Sequence, residues 1–320
     1  MRAAYVEAAR PDEPLAALRV GHRPEPEPAD GWVVVEVAAA ALNRHDLWSL
    51  AGVGLPHDRM PMILGTDAAG SADGRPVIVH SVIASPGWTG DETLDPRRTL
   101  LSELHQGTMA ARVAVPRANL IERPAWLTAE QAACLPTAWL TAYRMLTHDS
   151  GLRPGDTVLV QGAAGGVASA ATALAVALGL RVWVTGRTEA KREAALARGA
   201  HAAFEPGERL PERVDAVIET VGEATWAHSL RSLRPGGTIV CAGATSGFNP
   251  PAELNRVFFQ QLRVIGSTMG TRQEFVALLE LMRSSDVRPV IDRVVPLADA
   301  AEGFRAMANG TLDGKIVLVP

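Results

Sequence analysis

The chain has 320 residues, which is more than one ordinary domain needs and fits two, each with its own hydrophobic core. Hydrophobic residues make up 47% and charged residues 21%, the proportions of a globular protein, which exclude extensive disorder. The net charge of −4 at pH 7 leaves no basic surplus to neutralise phosphates, so the composition argues against a nucleic-acid-binding protein.

The two cysteines, Cys134 and Cys241, stand far apart in apolar surroundings. They exclude a disulfide framework and a cysteine-built zinc cluster, and favour two buried apolar side chains. The opening residues, MRAAYVEAARPDEP, lack the apolar run of a signal peptide, and no apolar stretch approaches the roughly 20 residues of a membrane span. We therefore expect a cytoplasmic protein.

The first part of the chain, up to about residue 115, is rich in predicted strands and in chain breakers. The predicted strands are Met1–Glu7, Trp32–Ala40, Arg75–Val82 and Thr108–Val115. The segment SPGWTGDETLDPRRT, between the last two, is dominated by turn formers and predicts a long excursion.

From about Pro116 onwards, predicted helices alternate with predicted strands, a pattern typical of an α/β fold with a doubly wound parallel sheet. The predicted helices are Thr128–Thr147, Gly166–Leu178, Glu189–Arg198, Thr225–Ser232 and Arg272–Ser284. The predicted strands are Thr157–Gln161, Arg181–Thr185, Ala216–Glu219, Thr238–Ala242 and Arg263–Ser267.

The first of these strands runs into a Gly/Ala-rich turn that predicts a dinucleotide site. The turn, Ala163-Ala164-Gly165-Gly166-Val167-Ala168, has the form A-x-G-x-x-A and leads into a helix and a second strand. Gly165 stands where the backbone must approach a pyrophosphate, and the helix N-terminus offers unpaired N–H groups to phosphates. A purely structural turn is the alternative.

The end of the second strand favours NADP(H) over NAD(H). An NAD site usually has an acidic residue there to hold the ribose 2′-hydroxyl, but this chain reads Val-Thr-Gly186-Arg187-Thr, with no carboxylate before Glu189. Arg187 and Lys191 can pair with a 2′-phosphate. The alternative, that both are solvated surface cations, stays open.

Several motifs in chain order make the sequence resemble the medium-chain dehydrogenase/reductase superfamily, and within it the zinc-independent quinone oxidoreductase branch. They are ALNRHDLWSLAG, ILGTDAAG, LPTAWLTAYRML, GDTVLVQGAAGGVASAA, RPGGTIVCAG, VIGSTMG and GKIVLVP. The resemblance implies a GroES-like β-rich catalytic domain (1–117 and 270–320) and a Rossmann domain (118–269) that binds NADP(H). It also implies a homodimer or homotetramer.

The resemblance implies that zinc is absent. Zinc-dependent relatives have Cys at the position of Asn43 and His at that of Thr66, and neither an amide nor a hydroxyl is a good zinc anchor. The segment 85–105, which corresponds to a structural zinc lobe, contains no cysteine. The histidines at 45, 57, 80 and 105 repeat no known ligand spacing, and we interpret them as scattered loop residues.

The candidate catalytic residues are Asn43, Thr66, Asp67 and Trp48. Asn43 is expected to hold the substrate carbonyl or the nicotinamide ribose, with a loop-capping role as the alternative. Trp48 and Trp88 are candidate aromatic walls, with core packing equally open for each. The tyrosines of typical quinone reductases are missing here, and the segment GSADGRP is shorter than the usual loop, so both features leave the substrate open.

The predicted cofactor-binding residues lie at strand ends, in the phosphate turn and in the motif LPTAWLT. They are Thr137, Thr141, Ala164, Gly165, Gly166, Val167, Gly186, Arg187, Lys191, Ala242, Gly243, Ala244, Thr268, Met269 and Lys315. For Thr137 and Thr141 the alternative is an ordinary helix hydroxyl, and for Lys315 a solvated tail lysine.

The sequence therefore predicts an NADPH-dependent reductase of a small quinone or α,β-unsaturated carbonyl compound. Such acceptors carry their own electron sink and need no metal, so the protein supplies proximity and orientation. Two alternatives remain: an alcohol or aldehyde oxidoreductase, and a non-catalytic NADPH-binding sensor or structural protein. No Ser/His/Asp constellation or paired carboxylates point to hydrolysis.

Overall fold

The computed structural model describes all 320 residues and divides into two compact units. The first unit comprises Met1–Ala138, Gly270–Val276 and Pro289–Pro320, and the second comprises Trp139–Met269 and Ala277–Arg288. The division near residue 138 lies beyond the sequence-based boundary at 117, because the intervening helical residues pack on strands of the first unit. None of the helices combines the length and the hydrophobicity needed to cross a membrane.

Eighteen strands form the framework. They are β1 (Arg2–Val6), β2 (Leu18–His22), β3 (Trp32–Ala41), β4 (Met62–Ile63), β5 (Asp67–Ala72), β6 (Arg75–Val79), β7 (Val82–Ile83), β8 (Thr99–Leu100), β9 (Arg112–Pro116), β10 (Leu120–Glu122), β11 (Thr157–Val160), β12 (Arg181–Thr185), β13 (Ala202–Phe204), β14 (Val214–Glu219), β15 (Leu233–Cys241), β16 (Arg263–Gly266), β17 (Ile291–Pro296) and β18 (Lys315–Val319).

Ten α-helices accompany the strands. They are α1 (Pro14–Ala17), α2 (Arg44–Leu50), α3 (Ala129–Ala133), α4 (Leu140–Arg144), α5 (Gly166–Ala177), α6 (Glu189–Ala197), α7 (Glu223–Ser232), α8 (Leu254–Phe259), α9 (Arg272–Ser285) and α10 (Ala300–Asn309). Two π-helical segments, Leu135–Trp139 and Met145–Asp149, adjoin α4.

The main sheet of the first unit has the order β10-β6-β5-β3-β18-β17, with β9 also paired to β3. The β-branched run of β3 forms its centre and packs its alternate side chains into an apolar core with β1 and α10. Because β18 pairs antiparallel with β3, with Val317 opposite Ala41, the end of the chain completes a sheet begun near its start.

A tight hairpin explains the short GSADGRP segment of the sequence. Strands β5 and β6 pair from Ala72 opposite Arg75, so only Asp73 and Gly74 form the turn, both at positive φ. This is the geometry that the dipeptide Asp-Gly favours in two-residue hairpins. Gly70 is required as glycine, because a Cβ there would lie 1.9 Å from the carbonyl oxygen of Glu36.

The second unit contains a six-stranded parallel sheet of order β13-β12-β11-β14-β15-β16. In chain order this is 3-2-1-4-5-6, so the direction of winding reverses between β11 and β14, where doubly wound sheets bind ligands. The predicted α/β class with a doubly wound parallel sheet is confirmed.

Several sequence-based elements were wrong in detail, and two of them have a clear cause. The strand expected over Arg75–Val82 is broken at His80 and Ser81, because the His80 backbone pairs with Asn119 instead. The helix expected over Thr128–Thr147 is not uniformly α-helical, because π segments interrupt it around Pro136, which has no backbone N–H to donate.

Candidate active site

A polar cluster in the first unit gathers four sequence-predicted residues: Asn43, Thr66, Asp67 and Thr137. The Nδ2 atom of Asn43 donates to Thr66 Oγ1 (3.1 Å), which lies 2.9 Å from Thr137 Oγ1. The Thr137 hydroxyl donates to Asp67 Oδ1 (2.5 Å). Thr137 lies in the π segment Leu135–Trp139, the kind of helix irregularity that is frequent at functional sites.

Lys315 supplies the cation of this polar cluster. Its Nζ atom donates to the Leu42 carbonyl (2.7 Å) and to Asn43 Oδ1 (2.5 Å), and lies 3.5 Å from Asp67 Oδ2. The side chain is 3% exposed, so Lys315 is not a solvated tail residue. Two hydrogen bonds and one ion pair therefore surround the buried ammonium group.

The start of α2 is fixed by Asp46. Its Oδ2 atom accepts from the backbone N–H of Asn43 (2.7 Å) and its Oδ1 from that of Gly65 (3.1 Å), so one carboxylate holds the two segments that carry Asn43 and Thr66. Burial raises the pKa of Asp46 to about 6, and the nearby His45 charge opposes this shift. These contacts give Asp46 a structural role.

Two hydroxyls hold the backbone beneath the cluster. Ser81 Oγ donates to the Thr66 carbonyl (2.5 Å) and Thr108 Oγ1 donates to that of Asp67 (2.8 Å). Sequence analysis missed both, and no local pattern marks them, because each acts on a segment at least 15 positions away.

His45 is paired rather than scattered, which corrects the sequence interpretation. Its Nε2 atom lies 3.0 Å from Glu103 Oε1. Burial disfavours the charged imidazole, but the bond to Glu103 and the carboxylates of Asp46 and Asp67 outweigh it, so the pKa of His45 is raised. Of the two tryptophans, Trp48 is half-buried on α2, whereas Trp88 is 38% exposed and donates to the Asp91 carbonyl.

The phosphate turn of the second unit lies where β11 ends and α5 begins, at the reversal point of the sheet. Gly165 is the N-cap of α5, has an extended conformation (φ −69°, ψ 157°), and has no atom within 4 Å of where a Cβ would lie. The turn therefore leaves a cradle that a side chain would fill, in front of the N–H groups of a twelve-residue helix. This arrangement fits a dinucleotide pyrophosphate.

A buried polar network supports this turn, and sequence analysis missed it. Gln161 bonds His228 and Ser229 through Nε2 (2.9 and 3.0 Å), and accepts from Thr185 Oγ1 (2.8 Å), which itself accepts from the Gly162 N–H (3.1 Å). Polar residues at the ends of buried strands, such as Gln161 and Thr185, were the available signal.

The end of β12 carries a group of cations. Arg187 is exposed and Lys191 is half-buried in the first turn of α6. Arg192, which sequence analysis did not select, donates to the Gly186 carbonyl (2.8 Å) and lies 3.4 Å from Glu205. A Cβ on Gly186 would lie 2.8 Å from the Arg192 side chain, which explains a glycine at this position.

The remaining predicted residues of the second unit lie at the strand ends or in α4. Ala242, Gly243 and Ala244 follow β15, while Thr268 and Met269 follow β16, where Met269 has a positive φ of 54°. Thr141 is 5% exposed within α4. No contact inside the chain tests their predicted role.

Comparisons with known proteins cover nearly the whole chain. A family model described as alcohol dehydrogenase GroES-like domain matches residues 29–125, and one described as zinc-binding dehydrogenase matches residues 166–284. The acryloyl-coenzyme A reductase of Metallosphaera sedula is 30% identical over 92% of this chain and 94% of its own length. The chain belongs to the medium-chain dehydrogenase/reductase superfamily.

Other members of the superfamily are similar to the chain over nearly its whole length. Human quinone oxidoreductase is 28% identical over 92% of this chain and 91% of its own. Among solved structures, an NAD-dependent alcohol dehydrogenase has a TM-score of 0.92 at 32% identity, with 100% of both chains covered. The 2-octenoyl-CoA carboxylase reductase CinF, solved with NADP and 2-octenoyl-CoA, has a TM-score of 0.91 at 26% identity, with 99% of this chain and 87% of its own covered.

These matches confirm the GroES-like first domain and the Rossmann-like second domain of the medium-chain dehydrogenase/reductase fold. They do not separate quinone reductases from enoyl-CoA reductases, because both kinds of relative are 25 to 30% identical to this chain.

The description zinc-binding dehydrogenase raises the question whether the polar cluster fits zinc. No group of three or more His, Cys, Asp or Glu side chains in the structure is arranged to hold a metal ion. Asn43, Thr66 and Thr137 offer only neutral amide and hydroxyl groups, which are weak zinc ligands. The ammonium group of Lys315 already lies 3.5 Å from Asp67 and would repel a divalent cation. The donor set does not fit zinc.

Proposed function

We propose that this member of the medium-chain dehydrogenase/reductase superfamily is an NADPH-dependent reductase of a quinone or α,β-unsaturated carbonyl compound that uses no metal ion. One observation carries the proposal: the polar cluster contains a lysine ammonium ion beside Asp67 where a metal site would need a free carboxylate. A simple alcohol or ketone needs a metal ion to polarise its oxygen atom, and this cluster does not fit one. A conjugated acceptor can spread added electron density onto its own oxygen, where one hydrogen-bond donor is sufficient.

In this proposal the acceptor binds at the polar cluster and Asn43 contacts its carbonyl oxygen. Thr66, Thr137 and Asp67 are buried or half-buried and form a connected set of hydrogen bonds, so they hold Asn43 in one geometry. Trp48, half-buried on the same helix that Asn43 begins, is proposed as an apolar wall.

The second unit fits a dinucleotide, and we propose that it binds NADPH. Bound NADPH would supply the hydride. Gly165, Gly166 and Val167 would hold the pyrophosphate at the start of α5, and Arg187 and Lys191 the 2′-phosphate. The other proposed cofactor contacts are Thr137, Thr141, Ala164, Gly186, Ala242, Gly243, Ala244, Thr268, Met269 and Lys315.

The names of the relatives support the class of acceptor. Acryloyl-coenzyme A and a quinone both place a carbon–carbon double bond next to a carbonyl group, although one is a thioester and the other a ring. The CinF structure, with NADP and 2-octenoyl-CoA, supports the same pairing of a phosphorylated cofactor with a conjugated carbonyl.

The test is NADPH oxidation by the purified protein, followed at its absorbance band, with acryloyl-CoA, crotonyl-CoA and an ortho-quinone as acceptors. Turnover with at least one of them, unchanged by a chelator, is expected. Absence of turnover with all three acceptors would contradict the proposal. Oxidation of simple alcohols that depends on stoichiometric zinc would favour the alcohol dehydrogenase alternative instead.

We also propose a homodimer or homotetramer. Strand β16 is one of the two edge strands of the parallel sheet, and an open edge exposes unpaired backbone donors and acceptors. Around it, Phe258, Phe259 and Val264 are 62%, 74% and 48% exposed. An apolar surface beside an unpaired strand favours association with a second copy.

A further inference from the structure

The hydrogen bonds of the polar cluster use the hydroxyl hydrogens of both Thr66 and Thr137. Asp67 can only accept, so the hydrogen of the Thr137 hydroxyl points to it. The Thr66 hydroxyl accepts from the Asn43 amide, and its own hydrogen points to Thr137 Oγ1 (2.9 Å) or to Asp67 Oδ1 (3.4 Å). Both hydroxyl hydrogens are therefore committed within the cluster, and neither is available to a substrate oxygen.

Lys315 decides which way the Asn43 amide faces. An asparagine amide can be turned by 180°, which exchanges its oxygen and nitrogen. Lysine carries only donors, so the group 2.5 Å from its Nζ atom must be the amide oxygen. The amide nitrogen is thereby directed to Thr66, which it reaches with one of its two hydrogens.

The second hydrogen of the Asn43 amide has no partner within the chain. Among the hydrogen bonds that connect Asn43, Thr66, Thr137 and Asp67, it is the one donor hydrogen without an acceptor. Asn43 is 7% exposed and Thr137 is half-buried, whereas Thr66, Asp67 and Lys315 are 1%, 0% and 3% exposed. The cluster is therefore closed at the Lys315–Asp67 end and more open at the Asn43–Thr137 end.

We propose that Lys315 is the positioning residue of the site, which turns the Asn43 amide so that its second N–H donates to the carbonyl oxygen of the acceptor. The inference rests on the proposed reduction of a conjugated carbonyl. Hydride addition to the β-carbon moves the carbon–carbon π pair towards that oxygen, and the cofactor is oxidised as the acceptor gains two electrons. The ammonium group on Asn43 Oδ1 polarises the amide, so its N–H bond stabilises the developing charge. A proton from water completes the reduction.

The test must separate two effects of the Lys315 charge. One is its effect on the Asn43 amide, and the other is its contribution to the stability of the buried Lys315–Asp67 pair. Lys315→Met alone leaves Asp67 as an uncompensated buried carboxylate, which destabilises the folded protein. The double variant Asp67→Asn, Lys315→Met removes both charges and keeps an oxygen acceptor for Thr137. We expect wild-type thermal stability to within a few degrees, but a kcat with the best acceptor at least tenfold lower.

Asn43→Asp is the second variant, and we expect it to fold because its carboxylate can pair with Lys315. It keeps an oxygen for Lys315 and removes both amide hydrogens, so kcat is expected to fall about a hundredfold, as for loss of one oxyanion donor. Arg305→Met, which removes an exposed cation of α10, is the matched control and is expected to keep the wild-type kcat.

Each outcome decides one point. A double variant with wild-type kcat would overturn the role of Lys315, and a fully active Asn43→Asp variant would overturn the role of the amide donor. A stable wild-type protein that oxidises NADPH with none of the acceptors would contradict the proposed function itself.

Discussion

The Nζ atom of Lys315 lies 3.5 Å from Oδ2 of Asp67, in an ion pair of which neither side chain is more than 3% exposed. Removing one partner from such a pair strands the other charge in a low-dielectric interior. We therefore expect Lys315→Met to lower the free energy of unfolding by about 3–5 kcal/mol, measured by urea denaturation. Asp67→Asn in the same chain should restore most of this loss, whereas two additive losses would contradict the pairing.

Because of His80, we expect the free energy of unfolding to fall at acidic pH. It is buried with both ring nitrogens lacking hydrogen-bond partners, and burial, with a contribution from Arg272, lowers its pKa from 6.5 to about 4. Above pH 6.5 the ring is neutral in both states. As the pH falls towards 4 the unfolded chain takes up a proton first, so the folded state loses up to about 3 kcal/mol.

The measurement is the free energy of unfolding against pH for wild type and His80→Leu. The wild-type curve should fall relative to that of the variant between pH 6.5 and 4. His57→Leu, at an exposed position, is the control and should follow the wild type. Parallel curves for wild type and His80→Leu would show that His80 is not held neutral.

The cations after β12 predict a preference for NADPH. Arg187→Ala combined with Lys191→Ala should raise the Kd of NADPH tenfold or more, since each hydrogen bond to a charged group contributes about 1.5–3 kcal/mol. The Kd of NADH, which lacks the 2′-phosphate, should change little. Isothermal titration with both cofactors checks this, with the exposed Arg209→Ala as control. An equal loss for both cofactors would contradict the assignment.

A larger side chain at position 165 is expected to leave the fold intact and to prevent cofactor binding. A Cβ there meets nothing within 4 Å, and its φ of −69° and ψ of 157° suit a β-branched residue. Gly165→Val should keep the melting temperature within a few degrees and raise the Kd of NADPH at least a hundredfold, because the side chain fills the pyrophosphate cradle. Unchanged binding would show that the phosphates lie elsewhere.

The apolar surface around β16 predicts the assembly state. Phe258→Glu with Phe259→Glu should shift the molar mass in multi-angle light scattering from a dimer or tetramer towards the monomer, because charged groups are costly to bury. Val53→Glu, at a 50% exposed position of the first unit, is the control and should not change the mass. A monomeric wild type would contradict the proposed assembly.

Sequence patterns succeeded where the determining contacts are local. The period of apolar residues predicted β11, α5 and β12 to within a residue or two, because each is stabilised by its own neighbours and by one buried face. The turn at Asp73–Gly74 was interpreted only as a short loop, although the dipeptide itself favours a two-residue hairpin. The breaks at His80 and Pro136 were missed because distant backbone partners and a π segment decide them.

By itself, the sequence determined the alternating strands and helices, the Gly/Ala phosphate turn and the spacing of Arg187 from it, since all of these depend on residues close together in the chain. Only the tertiary structure decided that Lys315 belongs with Asn43, 272 positions away. The reason is strand register: β18 pairs with β3 so that Val317 lies opposite Ala41, and the chain leaves the end of β3 beside the start of β18, where Asn43 meets Lys315. A buried cation is then stable there only because oxygen atoms of Leu42, Asn43 and Asp67 surround it.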